Sequence, residues 1–264
     1  MKKYLIAAKN TWDEALSYRF NFFIWRLRNV ILLLSTYFLW LAVIPEGTNV
    51  FGYDQSSMLT YVLLTAIVRA VVTSNRSYAI GQEINDGNLS NFLLQPINYF
   101  AYWFSKDIGD KLMNLAFSIV ELAIIFVLLK PPIYIQTSPE YILFFIVSII
   151  LAVILYFFIN ILLGLIGFWS PDVWAPRFIF WIAVGFFAGE YFPLDILPQT
   201  IYNIFKILPF SYLIYFPIKV YLGQFTYQEI LTGFLITTIW IGIFAIVVNV
   251  VWKKGLKSYT AQGR

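Results

Sequence analysis

Arg69 and Glu121 are the ionisable residues that fall deepest inside the long apolar runs of this chain. A charge in hydrocarbon is costly, so such residues commonly serve an ion pair, a proton relay or a ligand site. Three readings stay open. Arg69 snorkels toward the water interface; the two residues tie neighbouring helices together; or they form a proton or substrate site. Asn160 and Asn249 are the other polar candidates within apolar runs. They suit hydrogen bonding between helices or the lining of a path. Much other chemistry is excluded, because the chain has no Cys and no His. Thiolate and imidazole metal sites, disulfides and His-based triads are therefore absent. Asp107 and Asp110 lie three apart and read as acids favourably placed near a helix start. No catalytic constellation and no metal site is nominated.

The elements that hold these residues follow from composition. Apolar residues make up 60% of the 264, aromatics 20% and charged residues 12%. A soluble domain has roughly 45–50% apolar and ~25% charged residues. That excess points to an all-α polytopic membrane protein. A crossing helix takes about 20 apolar residues, and six stretches qualify: 20–44, 57–77, 108–129, 141–169, 173–189 and 229–252. The runs are continuously apolar and lack barrel alternation. Six crossings place both termini on one side. Of the 18 Lys and Arg residues, Lys130, Lys206 and Lys219 fall on one side and Arg69 within a span. The rest, from Lys2 through Arg26, Arg28, Arg76, Lys111 and Arg177 to Arg264, fall on the other side. This bias predicts a plasma (inner) membrane protein with both termini cytoplasmic. The net charge of +4 then reports topology and not nucleic acid binding.

Three segments depart from simple spans. Residues 1–19 predict an amphipathic helix in the headgroup region, with Leu5, Ala8, Trp12 and Leu16 at helical spacing. Residues 78–107 form a cytoplasmic segment with Glu83, Asp86, turn-forming Gly87, and an apolar knot of Leu89, Phe92, Leu93 and Leu94 before Pro96. That knot must be covered by lipid, by the chain itself or by another protein. Residues 190–228 are nearly as apolar as the spans but are divided by Pro193, Pro198, Pro209 and Pro217. Each Pro ends or kinks a helix, so the segment predicts an external re-entrant hairpin of two short helices, 199–208 and 210–222. Gly185 and Gly189 form a G-x-x-x-G in the fifth span, suited to close packing within or between subunits.

Five pieces, in order along the chain, carry a resemblance: YRFNFFIWRLRN, GQEINDGNLSNFLLQPINYF, NILLGLIGFW, PLDILPQTIYNIFKILPFSYLIYFPIKVYLGQ and WKKGLKS. Together with six spans they resemble the permease subunits of ABC-2 family transporters. One departure is Leu93-Leu94-Gln95-Pro96, where the family commonly has Leu-Leu-Arg-Pro. The resemblance implies a single transmembrane domain over 1–264, with a type V exporter-like fold. It implies two membrane subunits, as a homodimer or a heterodimer with a similar permease, paired with two ABC ATPase subunits. It implies that the first helix and the 81–96 segment dock on the ATPase, and that Glu83, Asp86, Gly87, Leu89, Phe92, Leu93 and Pro96 make that contact. ATP and Mg would be bound by the partner and no cofactor by this chain, which has no G-x-x-x-x-G-K-[ST] loop. The expected activity is export, with no enzymatic step here. An ion-coupled secondary transporter using Arg69 and Glu121, or a membrane scaffold, is the alternative.

Overall fold

The computed structural model describes residues 2–17 and 19–260. Arg264, counted above among the charges of the terminal side, lies outside them. Eleven α-helices follow in order: α1 (Lys2–Ser17), α2 (Arg19–Val43), α3 (Gln55–Val72), α4 (Ile80–Asn85), α5 (Leu89–Leu93), α6 (Tyr99–Leu129), α7 (Pro139–Leu165), α8 (Trp174–Phe187), α9 (Gln199–Phe205), α10 (Tyr215–Tyr221) and α11 (Tyr227–Ser258). A two-residue-per-strand hairpin, Asn49–Val50 against Tyr53–Asp54, joins α2 to α3.

The helix starts are written in local chemistry. Asp54 accepts the Ser57 amide at the head of α3, and Asn98 accepts the Ala101 amide at 2.9 Å at the head of α6. Thr226 and Glu229 form a reciprocal capping box on α11. Lys130 ends α6 in a left-handed conformation just before Pro131 and Pro132. The Asn98 cap moves the start of α6 nine residues ahead of the expected position. Asp107 and Asp110 therefore sit in its third and fourth turns and not at a helix start. Likewise α3 ends at Val72, five residues before the expected boundary, and Arg69 falls in its last turn.

Among the described residues, five helices are long and apolar enough to cross a membrane: α2, α3, α6, α7 with its 3-10 extension to Phe168, and α11. The fifth expected span is shorter. Helix α8 has 14 residues, roughly 20 Å at 1.5 Å per residue against a core of about 30 Å. It stops in a Schellman motif: Gly189 takes φ +80° and the Glu190 amide donates to the Gly185 carbonyl at 3.2 Å. Both described ends of the chain nevertheless meet at one end of the bundle. Lys3 donates to the Pro96 carbonyl at 2.6 Å, and Tyr259 donates to the Gly87 carbonyl at 2.6 Å. Five crossings alone would separate them. The sixth crossing is thus shared between α8 and the Pro-divided chain that follows. In that chain α9 falls within the first expected short helix, 199–208, while the second, 210–222, is split into a 3-10 turn, Pro209–Tyr212, and α10. Helix α10 is buried against α3 and α7, with Ile218 and Val220 fully enclosed.

The largest core runs through α3, α7 and α10 and gathers residues from α2, α8 and α11. A second, smaller core joins α4, Tyr99 and Trp103 of α6, the end of α7 and Val248 of α11. This second core holds the segment considered next.

Candidate coupling site and intramembrane charges

Helix α4 is clamped at close range. A Cβ on Gly81 would stand 2.8 Å from the Val173 side chain, and one on Gly167 would stand 2.6 Å from the Gly81 carbonyl oxygen. The two glycines let α4 lie directly on the α7–α8 junction. Asn85 donates to the Pro171 carbonyl at 2.9 Å. Just past α11, the Tyr259 hydroxyl accepts the Ser90 amide at 3.1 Å and donates to the Gly87 carbonyl.

The chain entering α4 is fixed with equal care to α6. Asp107 accepts the Arg76 amide at 2.5 Å, the Ser77 amide at 2.9 Å and the Ser77 hydroxyl at 3.1 Å. Arg76 pairs with Asp110 at 2.8 Å. The Lys111 ammonium donates to the Val72 and Ser74 carbonyls at 2.9 and 2.5 Å. A lysine thus satisfies the carbonyls that the end of α3 leaves open. Helix α1 completes the block. Ala7, Thr11 and Ala15 face α6, Trp12 donates to the Gly109 carbonyl at 2.7 Å, and Lys106 pairs with Glu14 at 3.1 Å. Its larger apolar residues, Leu5, Ile6 and Leu16, remain exposed.

The residues expected to touch a partner divide into two sets. Leu89 and Gly87 are buried within the block, Glu83 accepts a hydrogen bond from Tyr99 at 2.7 Å, and Phe92 packs on the rings of Tyr99 and Tyr102. Asp86, Leu93 and Pro96 are exposed. Leu94, passed over as a contact by the sequence reading, is 87% exposed beside Leu93 at 47%. Burial holds the Glu83 carboxyl above the ordinary carboxylate range, against the opposing pull of Tyr99 and Lys106.

Further inside the bundle the charges pair differently from expectation. Arg69 and Glu121 do not meet. Glu121 pairs with Arg26, whose Nε donates at 2.6 Å, and Arg26 also donates to Asn114 at 3.2 Å and Ser118 at 3.1 Å. Arg69 pairs with Glu190 at 2.7 Å and donates to Asn29 at 3.1 Å. The cause is rotational. Arg26 lies on the face of α2 that meets α6, while Arg69 faces α2 and the end of α8. Arg26, expected as a charge of the water interface, is buried. Glu190, expected to open the external segment, sits instead beside the last turn of α3.

Asn160 donates to the Tyr156 carbonyl of its own helix at 2.9 Å, and Asn249 lies on the exposed face of α11. Gly185 packs beneath Tyr191, and Gly189 beneath Tyr61, which donates to its carbonyl at 2.6 Å. Both glycines are used within the chain.

A family model described as ABC-2 family transporter protein matches residues 30–263. The chain belongs to the ABC-2 transporter family. A comparison with curated proteins found no match. The family assignment makes this chain a membrane permease of an ABC transporter system, which works with an ATPase partner. The matched residues take in α3 to α11 and most of α2, and so the whole clamped α4–α5 block. They leave out α1, Arg26, Arg28 and Asn29.

Proposed function

We propose that this ABC-2 permease exports its substrate by following a separate ATPase that grips the α4–α5 block. The observation that carries the reading is the pairing of rigidity with exposure. The block is fastened to α1, α3, α6, α7, α8 and α11, yet its tip presents Leu93 and Leu94 uncovered. A rigid knob seated in a partner groove converts partner motion into helix motion. Two adjacent exposed leucines supply the apolar anchor of such a contact. Asp86 and Pro96 flank the tip, with α1 alongside through Lys3.

In this reading both termini and the block lie in the cytoplasm, the α9–α10 hairpin caps the outer end, and a second permease copy or a similar subunit completes the path. The ATPase supplies the ATP and Mg chemistry. The ion-coupled alternative rested on Arg69 and Glu121 acting together, and the two belong to separate clusters.

The test uses the complete complex, purified with its ATPase and reconstituted in liposomes. Leu93→Ala with Leu94→Ala should lower ATPase affinity roughly tenfold or more, as loss of a central apolar anchor does. It should uncouple ATP hydrolysis from transport and leave the thermal midpoint of the isolated permease in place. Wild-type coupling in this variant would sink the proposal, as would full-rate transport by the permease alone without nucleotide.

A further inference from the structure

The Arg69 cluster carries more positive charge than its acid answers. Arg28 lies roughly 13 Å inside the start of α2, counting 1.5 Å per residue from Arg19. It directly precedes Asn29, which accepts from Arg69. Two guanidinium groups and one carboxylate leave a surplus of one positive charge. Arg69 spends one terminal nitrogen on Glu190 and the other on Asn29. Arg28 has neither partner, and its Nε is buried without a hydrogen-bond acceptor among the described residues. Its guanidinium carbon lies 4.2 Å from the ring centre of Trp25 and 5.4 Å from that of Trp181. The rings hold the cation by their faces. They offer no in-plane acceptor for the orphaned N–H.

We propose that Arg28, backed by Arg69, binds the anionic group of an amphiphile at the α2–α8 surface. A buried N–H without an acceptor and an unbalanced cation in hydrocarbon are both costly. One oxyanion on the guanidinium group answers the unbalanced charge. The flanking surface selects a ligand with an apolar body. Trp25 is 59% exposed and Trp181 39% exposed, on helices whose outer faces are otherwise aliphatic and aromatic. A phosphate or carboxylate group drawn to Arg28 would lay its hydrocarbon along these rings. Planar, fork-like donors suit such an oxyanion. The inference stands apart from the transport reading, because it concerns binding alone.

The experiment uses the full chain in nanodiscs and reads Trp181, isolated as the difference between the wild type and Trp181→Phe. Brominated phosphatidylglycerol is titrated against a phosphatidylcholine background, and brominated phosphatidylcholine serves as the neutral control. Quenching should saturate at a low mole fraction of phosphatidylglycerol only. Arg28→Gln should raise the half-saturation point roughly tenfold, the loss expected for a charge-assisted contact. Arg28→Lys should restore part of it. A parallel titration of inorganic phosphate into neutral discs separates the sources. A response there that depends on Arg28 supports the anion site and assigns it to a free anion. Should Arg28→Gln fail to assemble, Glu190→Gln raises the local charge by one and must tighten phosphatidylglycerol binding. Equal quenching by both lipids with no phosphate response overturns the proposal. So does half-saturation unchanged in Arg28→Gln. Charge balance supplied by an acid of a second copy would appear as lipid-independent stability that rises with protein concentration, and would overturn it too.

Discussion

Arg26 and Glu121 answer each other's charge and are backed by Asn114 and Ser118, whereas Arg69 takes the carboxylate of Glu190 and Arg28 beside it has none. The first cluster joins α2 to α6 and leaves nothing over. The second joins α2, α3 and the end of α8 and leaves a cation with an unmet donor. A saturated pair of this kind acts as a fixed tie, since every donor that moved would lose a partner. An unsaturated one is a place where something outside the chain is expected. The same charge types in one bundle thus serve two ends, and what separates them is the count of acceptors around each guanidinium.

The largest effect is expected at Glu121. Glu121→Gln removes the acid from the saturated cluster and leaves Arg26 buried without a counter-charge. It should cost about 3 kcal/mol in reversible unfolding in mixed micelles. Glu190→Gln should cost less, about 2 kcal/mol, because Arg69 keeps Asn29. That loss should shrink when phosphatidylglycerol is added, while the Glu121→Gln loss should not. Equal responses of the two variants to the lipid would erase the distinction. Arg69→Gln combined with Glu121→Gln should be additive to within about 0.5 kcal/mol, as expected for groups without shared partners. A larger departure in a double-mutant cycle would reconnect the clusters. The smallest effect belongs to Glu83, whose carboxyl burial holds above its ordinary range. The folded state keeps that proton longer than the unfolded chain does. Stability should therefore fall as pH rises from the ordinary carboxylate value to the raised one, and level off above it. Glu83→Gln should flatten that part of the pH profile of the melting temperature without lowering it near neutrality.

Much of the fold was legible in the sequence for simple physical reasons. Twenty-residue apolar runs have few alternatives in a membrane, and Pro193, Pro198 and Pro209 stand where the short helical pieces of the hairpin begin, while Pro217 falls in the first turn of α10. The early stop of α8 was hidden, because the apolar run continues to Gly189 and only the left-handed glycine marks the break. Arg26 was hidden in another way. A charge seven residues into a helix near a basic terminus reads as an interfacial anchor, and its pairing depends on which face of α2 meets α6. The face of α1 was inverted by size. Small Ala7, Thr11 and Ala15 allow contact with α6, while the larger apolar residues that make the visible stripe stay outside. At the candidate coupling site, the apolar knot was visible as a knot. Which of its residues point outward was set by how Tyr99 and Tyr102 of the following helix fold back on it, and by Tyr259, which is distant in sequence.

The Schellman stop at Gly189 has a mechanical consequence. A crossing made by one continuous helix tilts as a rod, so that displacement at one end reappears at the other. Helix α8 is rooted in the α4 block at Val173 and finishes part-way, beneath the ring of Tyr61, where a different and more deeply packed piece of chain takes over. Movement imposed at its root is therefore delivered to the joint at Gly189, and the packed segment beyond it can stay seated while α8 swings.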